Sequence, residues 1–403
     1  MRLLHTADWH LGQTLHGQTR EYEHARFLAW LEEQLVVRGV DTLVIAGDVF
    51  DGQNPPVSAQ RQLFGFLARA RRLRPDLSVV IIAGNHDSGG RLEAPSPLLE
   101  ELGVRVVGSL PRRADRSLDF DRLLVPLAGG GWCVAVPFLR PADLPAVEGD
   151  DAEIAGVRAV YDEIFAVVRA RRGPGEPVIV LGHCYMAGGA LSELSERKIL
   201  RGNLHALPVE LFAADMDYVA LGHLHRAQAV GGREAVRYSG SPVPLALDEA
   251  DYPHQVVQVD FEGGRLVALE AVRVPCFVQI LRLMASSPGA VAAVLAPLPA
   301  AAGDPDTWPL LELTVRIEQP EPGLVALILE AVAGKAVRLV RWVFESGGHG
   351  RALVAEAVPL SALAPEEVFL RCWQRSHSGE PSPAHLAAFQ ELLESTYSGD
   401  GEG

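Results

Sequence analysis

The chain has few cysteines and no long apolar run suited to a membrane. Its 403 residues include four cysteines, none of them in a Cys-x-x-Cys pair, which excludes a disulfide scaffold and a cysteine-ligated zinc site. The uncharged stretch 284–303 is mostly alanine with several prolines, so it is not expected to span a bilayer. Asp8 interrupts the apolar N-terminus, which argues against a signal peptide. We therefore expect a cytoplasmic protein that does not associate with a membrane.

Low-complexity sequence is absent as well. Glycine (39) and proline (28) together make up about a sixth of the chain, against the roughly 25–30% of low-complexity chains. Hydrophobic residues account for 48%, enough to bury a large core. At roughly 150 residues per domain, the length predicts two or three domains.

Basic residues are scarce relative to acidic ones. Lysine and arginine number 36 against 51 aspartates and glutamates, giving a net charge of −15. Because phosphate binding is driven by basic surface, this balance argues against a nucleic-acid partner. A metal site or a local basic patch can outweigh the charge of the whole chain, so composition leaves the partner open. The densest basic cluster of the first half is Arg112, Arg113 and Arg116, for which a solvated loop is favoured over DNA contact.

The order of strand and helix patterns predicts an α/β domain in the first part of the chain. Apolar, β-branched runs alternate with amphipathic stretches whose apolar residues recur every three or four positions. Such alternation places strands between layers of helices. Strands are predicted at 2–6, 42–46, 78–83, 178–181, 218–221, 256–260 and 266–274, and helices at 22–38, 58–72 and 151–172.

The pattern changes after residue 275. Strands at 277–283, 310–317 and 336–344, with helices at 289–295 and 324–333, predict a small α+β unit. Two further helical patterns, 365–375 and 383–397, each carry one apolar stripe, which predicts a partner-binding surface or packing back onto 276–355. The predicted domains are therefore 1–275, 276–355 and 356–403.

Five segments of the first domain share one pattern: an apolar strand, a small residue, and then a side chain that can bind a metal. Strand ends at one edge of an α/β sheet converge on a crevice where ligands bind. We therefore expect these side chains at one edge of one sheet. The segments are Thr6-Ala7-Asp8-Trp9-His10, Ala46-Gly47-Asp48, Ala83-Gly84-Asn85-His86-Asp87, Leu181-Gly182-His183 and Leu221-Gly222-His223-Leu224-His225.

Seven of these side chains suit a pair of divalent cations. We expect Asp48 to bridge the ions through its two oxygens, with three further ligands on each. Two carboxylates cannot neutralise two dications, so the site keeps positive charge for an anionic substrate such as a phosphate. A mixed set without thiolate suits manganese, iron or zinc. The remaining predicted ligands are Asp8, His10 and His225 for one ion, and Asn85, His183 and His223 for the other.

Each residue taken singly has an ordinary structural explanation. An aspartate after a strand usually caps a helix or a turn, and a buried histidine is more often a hydrogen-bonded core group than a ligand. Five segments with the same order of strand, small residue and ligand are not explained in this way. We interpret them as a metal centre.

The five segments resemble the metal motifs of the calcineurin-like metallophosphoesterases over residues 1 to about 245. Within that superfamily they are similar to the SbcD-type nuclease subunits of bacterial double-strand-break processing complexes. The resemblance implies an α/β fold with a β-sandwich flanked by helices, a small DNA-capping α+β domain and a C-terminal helical tail. The motifs that carry this similarity include Asp8-Trp9-His10-Leu11-Gly12, Gly47-Asp48-Val49-Phe50-Asp51, Gly84-Asn85-His86-Asp87-Ser88 and Tyr238-Ser239-Gly240-Ser241-Pro242.

The resemblance also implies cofactors and partners. Two divalent metal ions, Mn²⁺ by preference, would serve hydrolysis of DNA phosphodiester bonds. The activities would be an ATP-dependent 3′-to-5′ exonuclease on double strands and an endonuclease on single strands or hairpins. A homodimer of nuclease subunits would join two subunits of an SbcC-type coiled-coil ATPase in a heterotetramer.

The third motif carries a candidate catalytic residue. By resemblance His86 faces the scissile phosphate, where it stabilises the transition state or protonates the leaving oxygen, a usual histidine role. The alternative is a hydrogen-bond partner of a ligand. Asp87 is expected to orient a neighbouring histidine or to cap a turn. Archaeal and eukaryotic relatives have histidine where this chain has Asp51, whereas bacterial members resemble this sequence there, so Asp51 is left out of the catalytic set.

Two other functions remain open at this point. A phosphoesterase acting on small nucleotides or cyclic nucleotides would share the five motifs but would not need residues 276–397. A non-catalytic assembly scaffold could keep a metal site, but metal binding alone would not require His86.

Overall fold

A computed structural model describes residues 1–147, 151–190, 206–319, 321 and 323–346, together with Trp373, Pro381, His385 and Phe389. Residues 1–345 form one compact unit and residues 346–403 a second. The predicted C-terminal helices thus lie almost entirely outside the described residues. Within the described part, no helix has both the length and the apolar character needed to cross a membrane.

The first large sheet contains the N-terminal strand near its middle. Its strands are β1 (Arg2–Thr6), β4 (Thr42–Ala46), β5 (Ser78–Ile82), β6 (Val104–Val107), β13 (Gln255–Glu262) and β14 (Arg265–Arg273). Their order is β14-β13-β1-β4-β5-β6. The pairs from β1 to β6 are parallel, whereas β13 joins β1 in antiparallel orientation. The strands predicted from β-branched runs are confirmed here.

The second large sheet has the same mixed character. Its strands are β7 (Leu124–Pro126), β8 (Trp132–Ala135), β9 (Val178–His183), β10 (Tyr218–Gly222), β11 (Gln228–Val230) and β12 (Arg233–Tyr238). Their order is β11-β12-β10-β9-β8-β7, with the two edge strands antiparallel to their neighbours. The four central strands are parallel.

The two sheets pack against each other as a β-sandwich flanked by helices. Val44 and Val80 of the first sheet share a buried core with Val134 and Val180 of the second. Side chains on the opposite face of the first sheet, such as Ile45, belong to a second core formed with helices. The flanking helices are α1 (Glu21–Val37) and α2 (Val57–Leu73) on that outer face and α6 (Ala152–Arg171) in the core shared with the second sheet.

The expectation that all ligand-bearing strands belong to one sheet is wrong. Strands β1, β4 and β5 lie in the first sheet, whereas β9 and β10 lie in the second. Buried apolar runs identify strands locally, but they do not specify which strands pair over long sequence separations. Because the two sheets are stacked with their ligand-bearing ends together, the side chains still converge.

A third, three-stranded sheet follows residue 275. It consists of β15 (Ile280–Ala285), β16 (Leu310–Ile317) and β17 (Arg338–Ser346) in that order, with α7 (Val291–Leu295) and α8 (Leu324–Val332). Leu311, Leu313 and Ile328 belong to its separate core. The division at 275/276 falls inside the compact unit 1–345 and stays a prediction.

Short elements complete the described part. They are the hairpin β2 (Thr14–Leu15) and β3 (Gln18–Thr19), the helices α3 (Gly89–Glu93), α4 (Ser96–Glu100) and α5 (Phe120–Leu123), and the 3₁₀ turns Pro141–Asp143, Val209–Leu211, Leu247–Glu249, Pro288–Ala290 and Pro305–Thr307.

A buried ion pair anchors the start of α1. Arg20 and Glu23 are 1% and 3% exposed, and Arg20 Nη2 donates to Glu23 Oε1 at 2.7 Å. Arg20 Nη1 also donates to the Pro244 carbonyl oxygen at 2.7 Å and to Gln13 Oε1 at 3.2 Å. The pair therefore ties α1 to the loop that follows β12.

We expect Glu23→Ala to lower the free energy of unfolding by about 3–5 kcal/mol, because it leaves the Arg20 charge buried without its carboxylate. Urea unfolding followed by circular dichroism measures this. The matched control is Glu21→Ala on the same turn, where the exposed side chain should change stability by less than about 0.5 kcal/mol. Equal effects of the two substitutions would show that the ion pair is not a stability determinant.

Candidate metal centre

The seven predicted ligands and His86 lie together where strands of the two large sheets end. The ligand atoms of Asp8, His10 and Asp48 lie within 4.8 Å of one another, as do those of Asp48, His183 and His223. All except Asn85 and His86 are buried. By strand, they are Asp8 and His10 after β1, Asp48 after β4, Asn85 and His86 after β5, His183 at the end of β9, and His223 and His225 after β10.

The backbone at the ligands is held in an unusual conformation. Six described residues other than glycine have a positive φ, and four of them are predicted ligands: Asp8 (55°), His10 (46°), Asp48 (48°) and His223 (107°). Non-glycine residues rarely adopt this region, and residues that do so cluster at functional sites. The strained turns direct the four side chains out of the strand direction and into the space between the sheets' ends.

Two glycines make room for the cluster. A Cβ on Gly84 would lie 2.1 Å from Asp48 Oδ1, and a Cβ on Gly47 would lie 2.2 Å from His183 Nδ1. Both distances are far below van der Waals contact. The small residue of the sequence pattern is therefore needed for close packing of neighbouring ligands and not only for a tight turn.

Four acceptor atoms converge at the second predicted ion. His183 Nδ1 donates to the Ala46 carbonyl oxygen at 2.8 Å, which leaves the lone pair of a neutral ring on Nε2. That Nε2 lies 3.0 Å from Asn85 Oδ1 and 3.3 Å from Asp48 Oδ2. His223 Nδ1 lies 2.9 Å from the same amide oxygen. Lone pairs this close are held together by a proton or a cation between them.

The first predicted ion has orphaned acceptors. Asp8 Oδ2 and His10 Nε2 are buried and have no hydrogen-bond partner. The other polar atom of each side chain has a partner. Asp8 Oδ1 accepts from the His223 backbone N–H at 2.9 Å, and His10 Nδ1 lies 3.0 Å from Asp51 Oδ1. Buried polar atoms are rarely left unsatisfied, and a cation would satisfy both. The residues present therefore fit two divalent cations.

Asp48 connects the two groups through a single atom. Its Oδ2 lies 3.5 Å from His10 Nε2 and 3.3 Å from His183 Nε2, so it faces both sets. Its Oδ1 accepts a hydrogen bond from the His86 backbone N–H at 2.9 Å. The bridge through two carboxylate oxygens stays a prediction, and Oδ2 is the oxygen that lies near histidines of both sets.

Burial and the charges of neighbouring side chains together set the pKa values at the centre. Burial raises the pKa of Asp8 to about 7, although the nearby His183 and His225 imidazoles oppose the shift. It lowers the pKa of His223 to about 3, which keeps that ring neutral and able to bind a metal. Burial also acts to lower the pKa of His183, but the Asp48 carboxylate outweighs it and raises the value to about 9. The carboxylates at the centre therefore require nearby positive charge.

Sequence reasoning missed the groups that orient two of the ligands. His225 Nδ1 donates to Glu249 Oε1 at 2.8 Å, and Glu249 Oε2 accepts from the Leu245 backbone N–H. Asp51 holds His10 in the same manner. Such carboxylates fix the tautomer of a metal-binding histidine. Asp51 is the last residue of the second motif but was not given this role, whereas Glu249 lies outside every motif, 24 residues beyond its histidine.

Two other predicted residues have clear structural surroundings. Asp87 accepts hydrogen bonds from the backbone N–H groups of Val49, Phe50 and Gly84, which supports its interpretation as a turn-stabilising group. His86 Nδ1 donates to the Asp51 carbonyl oxygen at 2.9 Å, leaving Nε2 as the ring atom available to a substrate.

The basic cluster of the first half contacts its own loop. Arg112 donates to the carbonyl oxygens of Arg116 (2.8 Å) and Asp143 (2.6 Å). Arg113 lies 3.5 Å from the carboxylate of Asp121. These contacts favour the solvated-loop interpretation.

Two protein families match this chain. Residues 1–227, more than half of it, match the calcineurin-like phosphoesterase family. Residues 276–377 match the family described as the type 5 capsule protein repressor C-terminal domain.

Several bacterial nuclease subunits are similar over most of the chain. The SbcD subunit of the SbcCD nuclease of Rhodobacter capsulatus is 42% identical over 389 residues, which cover 92% of this chain and 93% of that protein. The SbcD subunit from Escherichia coli strain K12 is 35% identical over 332 residues, 78% of each chain. That of Bacillus subtilis is 39% identical over 270 residues, covering 66% of this chain and 67% of the relative.

We expect Asp48→Ala to lose both cations, because Oδ2 faces both sets of ligands. Metal analysis after gel filtration should fall from two tightly held ions per chain towards none. Asp76→Ala, which removes an exposed carboxylate, is the control and should keep the wild-type content. Two tightly held ions in the Asp48 variant would refute the bridging position.

Proposed function

This chain belongs to the calcineurin-like phosphoesterase family, and within it to the SbcD nuclease subunits, and from that premise we propose that it hydrolyses DNA phosphodiester bonds with two Mn²⁺ ions. The observation that carries the proposal is the position of Asp48 Oδ2 between two groups of buried acceptors. A shared carboxylate oxygen is suited to a pair of cations at close spacing, and the His86 backbone N–H donates to the other oxygen of the same carboxylate.

The proposed ligands divide between the two groups of acceptors. Asp8, His10 and His225 would complete one ion and Asn85, His183 and His223 the other, with Asp48 shared. Two divalent ions at such a site neutralise charge on a phosphate and activate water for in-line displacement. Oxygen and imidazole donors without thiolate are compatible with manganese.

His86 is the proposed catalytic residue. Its Nδ1 is committed to the Asp51 carbonyl oxygen, and its ring lies edge-on to that of His10 at a centroid distance of 4.7 Å. A protonated ring held in this way presents Nε2–H beside the ligand cluster. We assign to it donation of a hydrogen bond, or of the proton itself, to the leaving oxygen of the cleaved strand.

We further propose the biological setting of this activity. The chain would act in the cytoplasm as the nuclease subunit of an SbcCD-type complex, a heterotetramer with an SbcC-type coiled-coil ATPase, in DNA repair and recombination. Its activities would be the ATP-dependent 3′-to-5′ exonuclease on double strands and the endonuclease on single strands and hairpins. Similarity to SbcD subunits over most of the chain supports this setting.

The domain boundaries proposed for these roles are 1–275 for the nuclease, 276–355 for DNA capping and 356–403 for partner binding. The separate core of the third sheet and the second family match, which begins at Cys276, support the first boundary. A phosphoesterase for small nucleotides would have no use for this additional sheet.

The test of the nuclease function is Mn²⁺-dependent cutting of single-stranded circular DNA. We expect His86→Gln to lower turnover by roughly 10²–10⁴-fold, as for a lost acid–base group, while both cations stay bound. His16→Asn, which changes an exposed histidine, should leave turnover unchanged. Wild-type protein that cleaves cyclic nucleotides but not the circle would favour the small-substrate function. Activity of His86→Gln within about threefold of wild type would assign the role to another donor.

The tail gives a second prediction. The rings of Trp373 and His385 lie 4.5 Å apart, which places one residue of each predicted tail helix in contact. We expect removal of residues 365–403 to leave a Mn²⁺-dependent single-strand endonuclease with an unchanged melting temperature. Co-purification with the ATPase and ATP-stimulated degradation of double-stranded ends should be lost. If the truncated protein binds the ATPase with native affinity, the docking site lies elsewhere. If it unfolds, the apolar faces of the tail helices pack in the protein's own core.

A further inference from the structure

An apolar cleft opens beside the metal centre. The space between its walls is about 450 Å³ when the part that is open to solvent is included. Its lining is mostly apolar, with one carboxylate residue, and includes Phe138, Val157, Tyr185, Glu153 and His183. Because His183 is also a proposed metal ligand, the cleft and the centre lie next to each other and share this residue.

Two partly exposed aromatic residues, Phe138 and Tyr185, line the cleft. Phe138 meets the His183 ring edge-on, with centroids 6.2 Å apart and an interplanar angle of 81°. Tyr185 is two residues beyond the same histidine and also lines the cleft. Aromatic side chains with an exposed face are the usual stacking partners of unpaired bases.

The segments that carry the rings are fixed to the strands that carry the ligands. The Phe138 backbone N–H donates to the Ala83 carbonyl oxygen at 2.9 Å, directly before Gly84 and Asn85. The Tyr238 hydroxyl donates to the Cys184 carbonyl oxygen at 2.7 Å and accepts from the Met186 N–H at 3.0 Å, which holds the backbone on both sides of Tyr185. The cleft is therefore preorganised relative to the centre.

An arginine lies across the Phe138 ring. The guanidinium carbon of Arg140 is 5.7 Å from the ring centroid, and Nη2 donates to the Asp87 carbonyl oxygen at 3.3 Å. No carboxylate of the described residues lies within ion-pair distance of this guanidinium. A guanidinium that is held at the Asp87 carbonyl and has no carboxylate partner among the described residues is suited to a backbone phosphate of the substrate.

We propose that this cleft binds one unpaired nucleobase next to the scissile phosphate, with Arg140 on the adjoining phosphate. The inference rests on the nuclease function proposed above. A phosphodiester at the metal centre carries a nucleoside on each side, so an apolar cavity that shares His183 with the centre lies within reach of the substrate's own base. A base inside a duplex is stacked and paired, and it enters such a cleft only after unstacking. The cleft thus favours cutting beside unpaired nucleotides.

The experiment uses the full-length protein with Mn²⁺ and end-labelled single-stranded oligonucleotides. A single abasic residue is moved along a fixed sequence, and cleavage at every bond is resolved on a sequencing gel. We expect the abasic residue to suppress cleavage at one of its two flanking bonds by roughly tenfold, the size expected for one lost base–aromatic stack. Distant bonds serve as internal controls.

Matched variants assign the effect to the cleft. Tyr185→Leu and Phe138→Ala remove a ring, and both should cut normal DNA more slowly while showing a weaker response to the abasic residue. Tyr185→Phe keeps the ring and should respond as the wild type does. Trp132→Leu removes an aromatic ring from the first residue of β8, which does not line the cleft, and should also respond as the wild type does. Metal content and melting temperature are measured for every variant.

The outcomes separate this inference from the nuclease function. Equal cleavage of normal and abasic DNA by the wild-type protein overturns the cleft assignment even if a ring variant fails to fold. A full abasic response in folded Tyr185→Leu and Phe138→Ala overturns it as well. Hydrolysis of bis(p-nitrophenyl) phosphate without cutting of any DNA refutes the nuclease function and the cleft with it. Cutting of DNA without the abasic effect refutes the cleft alone.

Discussion

The convergence of lone pairs on one carboxylate oxygen is the constraint on which this structure depends. Asp48 Oδ2 lies between His10 and His183, and these come from different sheets. Bringing them within 3.5 Å of that oxygen requires two stacked sheets whose strand ends coincide. It also requires Gly47 and Gly84, because a side chain at either would occupy the position of a ligand. The sandwich, the strained turns and the glycines are thus consequences of one electrostatic requirement.

The acidic balance of the chain is compatible with a phosphate substrate because the centre and the surface act at different ranges. Screening limits exposed charges to about 10 Å at moderate salt, whereas cations in a buried centre act directly on the bound phosphate. The predicted ligands supply only two carboxylates among seven side chains, so two divalent ions leave the centre positive. Arg140, which has no carboxylate partner in the described part of the chain, adds to this local charge. A net charge of −15 therefore describes the surface and not the site.

Local patterns predicted most of the elements and the side chains that lie together at the strand ends, but they did not predict long-range strand pairing. The range Leu310–Ile317 and the strands Arg2–Thr6 and Thr42–Ala46 follow from apolar, β-branched runs, which depend only on neighbouring residues. The division of the ligand-bearing strands into two sheets depends on packing between residues that are far apart in the chain. Glu249 was missed for the same reason, since its role appears only when the 3₁₀ turn Leu247–Glu249 reaches His225.

The pairing of β1 with β13 has a consequence for how the chain is made. Strand β1, which leads to Asp8 and His10, pairs with β4 on one side and with β13, which begins at residue 255, on the other. Chains with many such distant pairings fold slowly, and they expose unpaired strand edges until the later partner arrives. During synthesis, β1 therefore leaves the ribosome with one edge open for more than half of translation. We expect chaperones to bind such a nascent chain before residues 255–262 have been synthesised, because the open edge of β1 is then without its partner.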